Sequence, residues 1–197
     1  MKLLFKAFCC AVIISALLSM TGFCGACDDI QNEVFRLHII ANSDNKEDQS
    51  LKLYVRDNML EYTKELFENC ENKEQSEQIA RENIDCIKAK AQALVYEYGF
   101  DYPVEAYVTD MSFNTRIYDK FTLPAGNYDA LRIVIGEGKG KNWWCVLYPA
   151  ICVTSAEGDE MNSVLNDNEL DIVENSGNYQ IKFKIVEIFE GICNIFR

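Results

Sequence analysis

VFRLHIIANSDNKEDQSLKLYVRDNMLEYTKELF, residues 34–67, contains two hydrophobic periods with a turn between them, and the fold class follows from that switch. From Val34 to Ala41 the side chains alternate, with Phe35, Leu37 and Ile39 on one face of a strand and Arg36, His38 and Ile40 on the other. The turn residues Ala41-Asn42-Ser43-Asp44-Asn45 follow. Asn45 can cap a helix whose third position is Asp48, and Leu51, Val55, Met59, Tyr62 and Leu66 then recur along one helical face. A strand that leads at once into an amphipathic helix calls for a sheet with a helix laid upon it.

The pattern continues in both directions. Asn72 and Gln75 form an imperfect capping box for a second helix with the stripe Ala80, Ile84, Ile87, Ala91, Leu94 and Tyr98, stopped by Gly99, so the two helices make a hairpin. After Pro103 the period drops to two: Val104, Ala106 and Val108 alternate with Glu105, Tyr107 and Thr109, and a further strand spans 113–118. A turn at Leu123-Pro124-Ala125-Gly126 leads to a strand over 128–135. Another strand follows over 142–148, read as its hairpin partner through Gly136–Lys141. Residues 153–178 hold seven acids and no base, which predicts a solvated connection, and Ile181, Ile185, Ile188, Ile192 and Phe196 predict a closing helix, with a strand start at Ile181, Phe183 and Ile185 as the alternative. The expected class is α+β, a mainly antiparallel sheet covered by a helical hairpin and a C-terminal helix. The expected divisions are 1–26, 27–152, 153–178 and 179–197.

At the amino terminus, Lys2 and Lys6 precede an uncharged apolar run from Ala7 to Met20, too short for comfortable passage across ~30 Å of hydrocarbon and suited to a secretory signal. Ala26 ends a small-residue segment at which cleavage is expected, with Cys24 an imperfect fit three positions back. An uncleaved anchor, with Leu3, Leu4 and Phe5 extending the run past a snorkelling Lys6, stays open, and lipidation of Cys27 ranks below ordinary export. Removing 1–26 takes two of 19 basic residues and none of 31 acidic ones, leaving a formal charge of −14. That field repels nucleic acid and anionic lipid, so a membrane is expected to be met only through the signal segment.

Three of the nine cysteines (Cys9, Cys10, Cys24) fall in or beside the signal. Of the six that remain, Cys145 and Cys152 are the expected disulfide, with Pro149 turning the chain between them. Cys70, Cys86 and Cys193 fit small buried positions in helices. The CxxC of Cys24 and Cys27 straddles the cleavage point, which argues against zinc, and the acidic runs at 44–48 and 166–171 lack the spacing of a calcium loop. No metal or cofactor is expected. G-x-G-x-G at 136–140 is followed by the strand-like WWCVLY, with no helix N-terminus for a phosphate, so a hairpin loop with Lys139 and Lys141 at its tip is the expectation. Trp143 and Trp144 are strand neighbours and must face opposite sides of the sheet. A Cys and His hydrolase, with Cys145 as nucleophile and His38 as base beside Asp44 or Asn42, has the right residue types and no other support.

Two blocks, RLHIIANSDNKEDQSLKLYVRD at 36–57 and LPAGNYDALRIVIGEGKGKNWWCVLYP at 123–149, resemble the stage II sporulation protein R family. The resemblance implies a protein exported from the forespore into the space between forespore and mother-cell membranes. There it would switch on a membrane-embedded aspartic protease that processes pro-sigma-E. It implies no catalytic residue. The surface residues selected for partner binding are Trp143, Trp144, Lys139, Lys141, Arg132 and His38, and the competing function is an exported hydrolase acting on peptide or cell wall.

Overall fold

In the computed structural model, which describes residues 2–118, 120–149 and 161–195, the fold is α+β with a mixed sheet. In chain order the elements are α1 (Lys2–Glu33), β1 (Phe35–Ile40), α2 (Lys46–Phe67), α3 (Lys73–Glu82), α4 (Ile84–Glu97), β2 (Val104–Phe113), β3 (Arg116–Ile117), β4 (Thr122–Leu123), β5 (Gly126–Ile135), β6 (Asn142–Tyr148), α5 (Asp167–Glu174) and α6 (Gln180–Ile195). They fall into two compact units. A sheet unit comprises Asn32–Ser112 and Asn127–Val164, and a helical unit comprises Met1–Gln31, Phe113–Gly126 and Leu165–Arg197.

The sheet unit is organised around β1. Strand order is β2-β5-β1-β6, with β1 parallel to β5 (His38 opposite Arg132) and antiparallel to β6 (His38 opposite Trp144). All six β1 residues are buried, as a strand hydrogen-bonded on both sides and covered on both faces requires. Phe35, Leu37 and Ile39 join Leu131, Ile133 and Ile135 of β5 and Cys145 and Leu147 of β6 in one core. Leu51, Val55 and Met59 of α2 and Ile87, Ala91, Leu94 and Val95 of α4 close it. Each such side chain contributes about 1.5–3 kcal/mol when fully buried. Asn45 caps α2 as its sequence predicts, accepting from the Asp48 amide at 2.7 Å, and Asn72 caps α3 by accepting from the Gln75 amide at 2.8 Å.

Several expectations are corrected here. The strands β5 and β6 are not hairpin partners, because β1 lies between them. Their connector crosses the end of β1, and its few residues suffice to step over one strand at spacings of about 4.8 Å. The helix expected after Asn72 is two helices, broken at Asn83, whose side chain turns back to donate to the Ile79 carbonyl at 2.9 Å. The acidic stretch is not all connection. Asn166 and Glu169 form a reciprocal capping box that starts α5, and Ile172 and Val173 of that helix are buried.

In the helical unit, α6 forms where its isoleucine spacing predicts a helix, but the face is different. Ile181, Ile185, Ile188 and Ile192 are exposed, and Phe183 and Val186 are buried instead. Phe196 lies outside the described residues. Beside α6 sit the last turns of α1, with Phe23, Ala26, Cys27 and Ile30 buried, and the two-residue strands β3 and β4 pair antiparallel in the same unit.

Candidate functional site

The turn after β1 and the connector between β5 and β6 close upon each other. Gly140 and Lys139 donate their amides to the carbonyls of Ala41 (2.9 Å) and Asn42 (3.1 Å), Glu137 donates its amide to Asn42 Oδ1 (2.9 Å), and Lys141 donates its amide to Asp44 Oδ1 (2.7 Å). Lys52 of α2 reaches across to donate to the Lys141 carbonyl at 2.9 Å. Beneath this knot sits Asp48, 1% exposed, accepting from Asn42 Nδ2 (2.8 Å) and Ser43 Oγ (2.6 Å). Burial alone pushes its carboxyl upward. The hydrogen bonds from Ser43, Asn42 and Tyr102 outweigh burial and hold it below the usual carboxylate range.

The glycines of the connector answer to this closure. At Gly140 an added Cβ would lie 2.3 Å from the Ser43 carbonyl oxygen, and at Gly136, which has φ +61°, it would lie 2.3 Å from Asn42 Oδ1. In G-x-G-x-G, Gly136 and Gly140 therefore serve a close approach of backbone to the turn after β1.

Beside the knot a row of four side chains crosses the sheet on the face opposite α2 and α4: Tyr107 on β2, Arg132 on β5, His38 on β1 and Trp144 on β6. His38 and Trp144 stack at 4.0 Å between centroids with planes 9° apart, and the Arg132 guanidinium lies 5.9 Å from the Tyr107 ring. His38 Nε2 and Asn142 Oδ1 are hydrogen-bonded at 2.8 Å. Burial lowers the pKa of His38 to about 4, with Arg132 and Arg36 adding to the effect and the Asn142 hydrogen bond opposing it. The ring is neutral at pH 7.

Of the six residues selected from sequence, the fold brings Trp144, His38 and Arg132 into this row. His38 is buried, so it supports the Trp144 ring from below rather than offering a surface of its own. Trp143 turns to the helix face, where the Arg56 guanidinium lies 5.2 Å from its ring. Lys139 and Lys141 stand exposed on the connector, and Lys139 is paired with Glu137 at 2.7 Å, so the expected positive tip is an ion pair. Sequence reading missed Tyr107, Asn142 and Asp48. Strand alternation placed Tyr107 on its face, yet only the fold shows that it meets Arg132.

The hydrolase pairing is not formed. Cys145 lies opposite Leu37 on the helix face, and His38 is on the other. The expected disulfide partner of Cys145, Cys152, lies outside the described residues. Among the described residues no group of three or more His, Cys, Asp or Glu side chains is placed to hold a metal ion.

The model of the family described as stage II sporulation protein R matches residues 31–158, a span that contains the knot and the whole row. A curated protein named stage II sporulation protein R, from Bacillus subtilis (strain 168), is 32% identical over 140 residues. That alignment covers 71% of this chain, and the chain spans 62% of the length of that relative. No solved structure matches the chain.

Two outcomes are expected of the site. Gly140→Ala forces a methyl group against the Ser43 backbone and should lower stability to denaturant by about 1–3 kcal/mol. Gly177→Ala, where nothing lies within 4 Å, should not. For His38, a folded-state pKa of about 4 against the ordinary 6.5 means the unfolded chain binds the proton first. Stability should therefore fall as pH drops from about 6.5 towards 4, by up to about 1.4 kcal/mol per unit. His38→Gln should remove that slope in urea titrations repeated across this window.

Proposed function

This chain belongs to the stage II sporulation protein R family, and we propose that it works there as an exported ligand that switches on a membrane-embedded aspartic protease, which then processes pro-sigma-E in the mother cell. It is a sporulation protein, and its N-terminal apolar helix is compatible with a signal segment. In this reading the forespore makes the chain and exports it into the space between the two membranes.

The observation that carries the proposal is the meeting of the two family-like blocks. The turn at Ala41–Asp44 and the connector at Gly136–Lys141, far apart in sequence, close as one polar knot beside the Trp144 row. A ligand that brings no reactive group acts through differential affinity, binding the active state of its target more tightly than the resting one. Moving a target from mostly off to mostly on takes about 5 kcal/mol, within reach of a few aromatic and arginine anchors. Trp144, Arg132 and Tyr107 are the contact candidates on the sheet face, with Lys139 and Lys141 on the connector. The Cys and His hydrolase is disfavoured by the placement of its two residues on opposite faces.

Pairing of Cys145 with Cys152 suits an exported chain. Alkylation before reduction should leave both residues unlabelled, and labelling of Cys152 would refute the pair. For the function, deletion should stop sigma-E maturation on an immunoblot, and Trp144→Ala, exported and folded, should reduce it severalfold. Normal maturation in the deletion strain would sink the proposal, and normal maturation with Trp144→Ala would remove the row from it.

A further inference from the structure

Within the helical unit, α1 behaves in two ways along its length. Leu4, Phe5, Phe8, Val12, Ile14, Leu17 and Leu18 are exposed, in a helix long and apolar enough to cross a membrane. Its last turns are instead part of a protein core. Phe23 stacks on Tyr179 at 5.6 Å and meets Phe183 of α6 edge-on at 5.3 Å. Lys182 donates to Ser19 Oγ at 2.9 Å, with its ammonium 5.3 Å from the Phe23 ring. Val186 and Phe189 flank Cys24 and Cys27 further along.

The bond expected to be cut, Ala26–Cys27, sits within the last turns of this helix, with Ala26 6% and Cys27 1% exposed. We propose that α1 is retained after export as a helix spanning the bilayer it passed through, its outer turns locked to α6. Cleavage of a folded segment requires the backbone to open first, and here opening would pull Phe23 and Ala26 out of the core. The order of synthesis sets up a race. A signal peptidase acts while the chain is still crossing, and α6 crosses only after every strand of the sheet. Cys24, where such a site wants a small aliphatic residue, slows the cut long enough for α6 to arrive and close over it. Residues 4–20 supply 17 positions, at the short end of the ~17–25 that span a bilayer, with Lys6 able to snorkel to the interface.

The inference rests on the proposed export but not on the identity of the target. Retention would tether the sheet unit to its own membrane, so that it searches a thin layer next to the opposing membrane rather than a volume, which raises its effective concentration there.

The test is intact-mass analysis of the full chain expressed in a spore-forming host, with membranes washed in alkaline carbonate. The uncut chain should remain in the washed pellet. Cys24→Ala, which speeds the cut, and Phe183→Asp, which opens the α6 contact, should each raise the share of chain beginning at Cys27 severalfold. Where Phe183→Asp is degraded, Phe23→Ala reads the same contact. A wild-type chain beginning at Cys27 and released by the wash would overturn the proposal, as would a Phe183→Asp chain left uncut. None of these readouts involves sigma-E, so failure here leaves the protease proposal standing.

Discussion

The carboxylate of Asp48 is the constraint on which the sheet unit turns. It is buried at the start of α2, where the aligned amides of the helix favour negative charge, and it holds Asn42 and Ser43 by their side chains. Hydrogen bonds to a charged group contribute about 1.5–3 kcal/mol each, more than the neutral bonds around them. Asn42, so fixed, presents its Oδ1 and carbonyl to the connector, and the connector then enters β6 in a single register. That register puts Trp144 opposite His38. A slip of one residue would bring Trp143 to that face and carry Cys145 away from the helices, so the stacked pair depends on a carboxylate that touches neither ring.

What could be read from sequence was local. The strand at β1, the helix α2 and the caps at Asn45 and Asn72 depend on neighbours within a few residues, and each formed as its pattern predicts. Non-local choices were hidden. Nothing in GEGKGK says that another strand lies between β5 and β6, because hairpins and one-strand crossings use connectors of similar length. Asn83 interrupts a helical period that continues on both sides of it. In α6, apolar residues occupy both faces, so the isoleucine stripe at 181, 185, 188 and 192 was as good a candidate for burial as Phe183 and Val186, and only the neighbouring α1 decides between them.

The same split applies to the site. Alternation alone separated Trp143 from Trp144 and placed His38 away from the Leu37 face, which is enough to divide Cys145 from His38. It could not show that His38 is buried under Trp144, since that depends on register across two strands. Asp48 was legible as a helix-start residue but not as the centre of a knot, because its partners include a turn that itself waits on a connector about ninety residues later.

His38 also bears on how the row can act. A histidine held near pKa 4 has no proton to exchange around neutrality, so between about pH 6 and 8 the charge of this row resides on Arg132. The chain as a whole carries −12, so this guanidinium lies against the general field and over an aromatic ring. The Trp144 and His38 rings are already stacked, and Arg132 already lies on Tyr107. Any molecule that meets this face finds side chains that have given up their rotamer freedom in folding, and immobilising a flexible side chain costs about 0.5–1.5 kcal/mol on binding. Preorganisation of this kind favours recognition through shape and fixed charge.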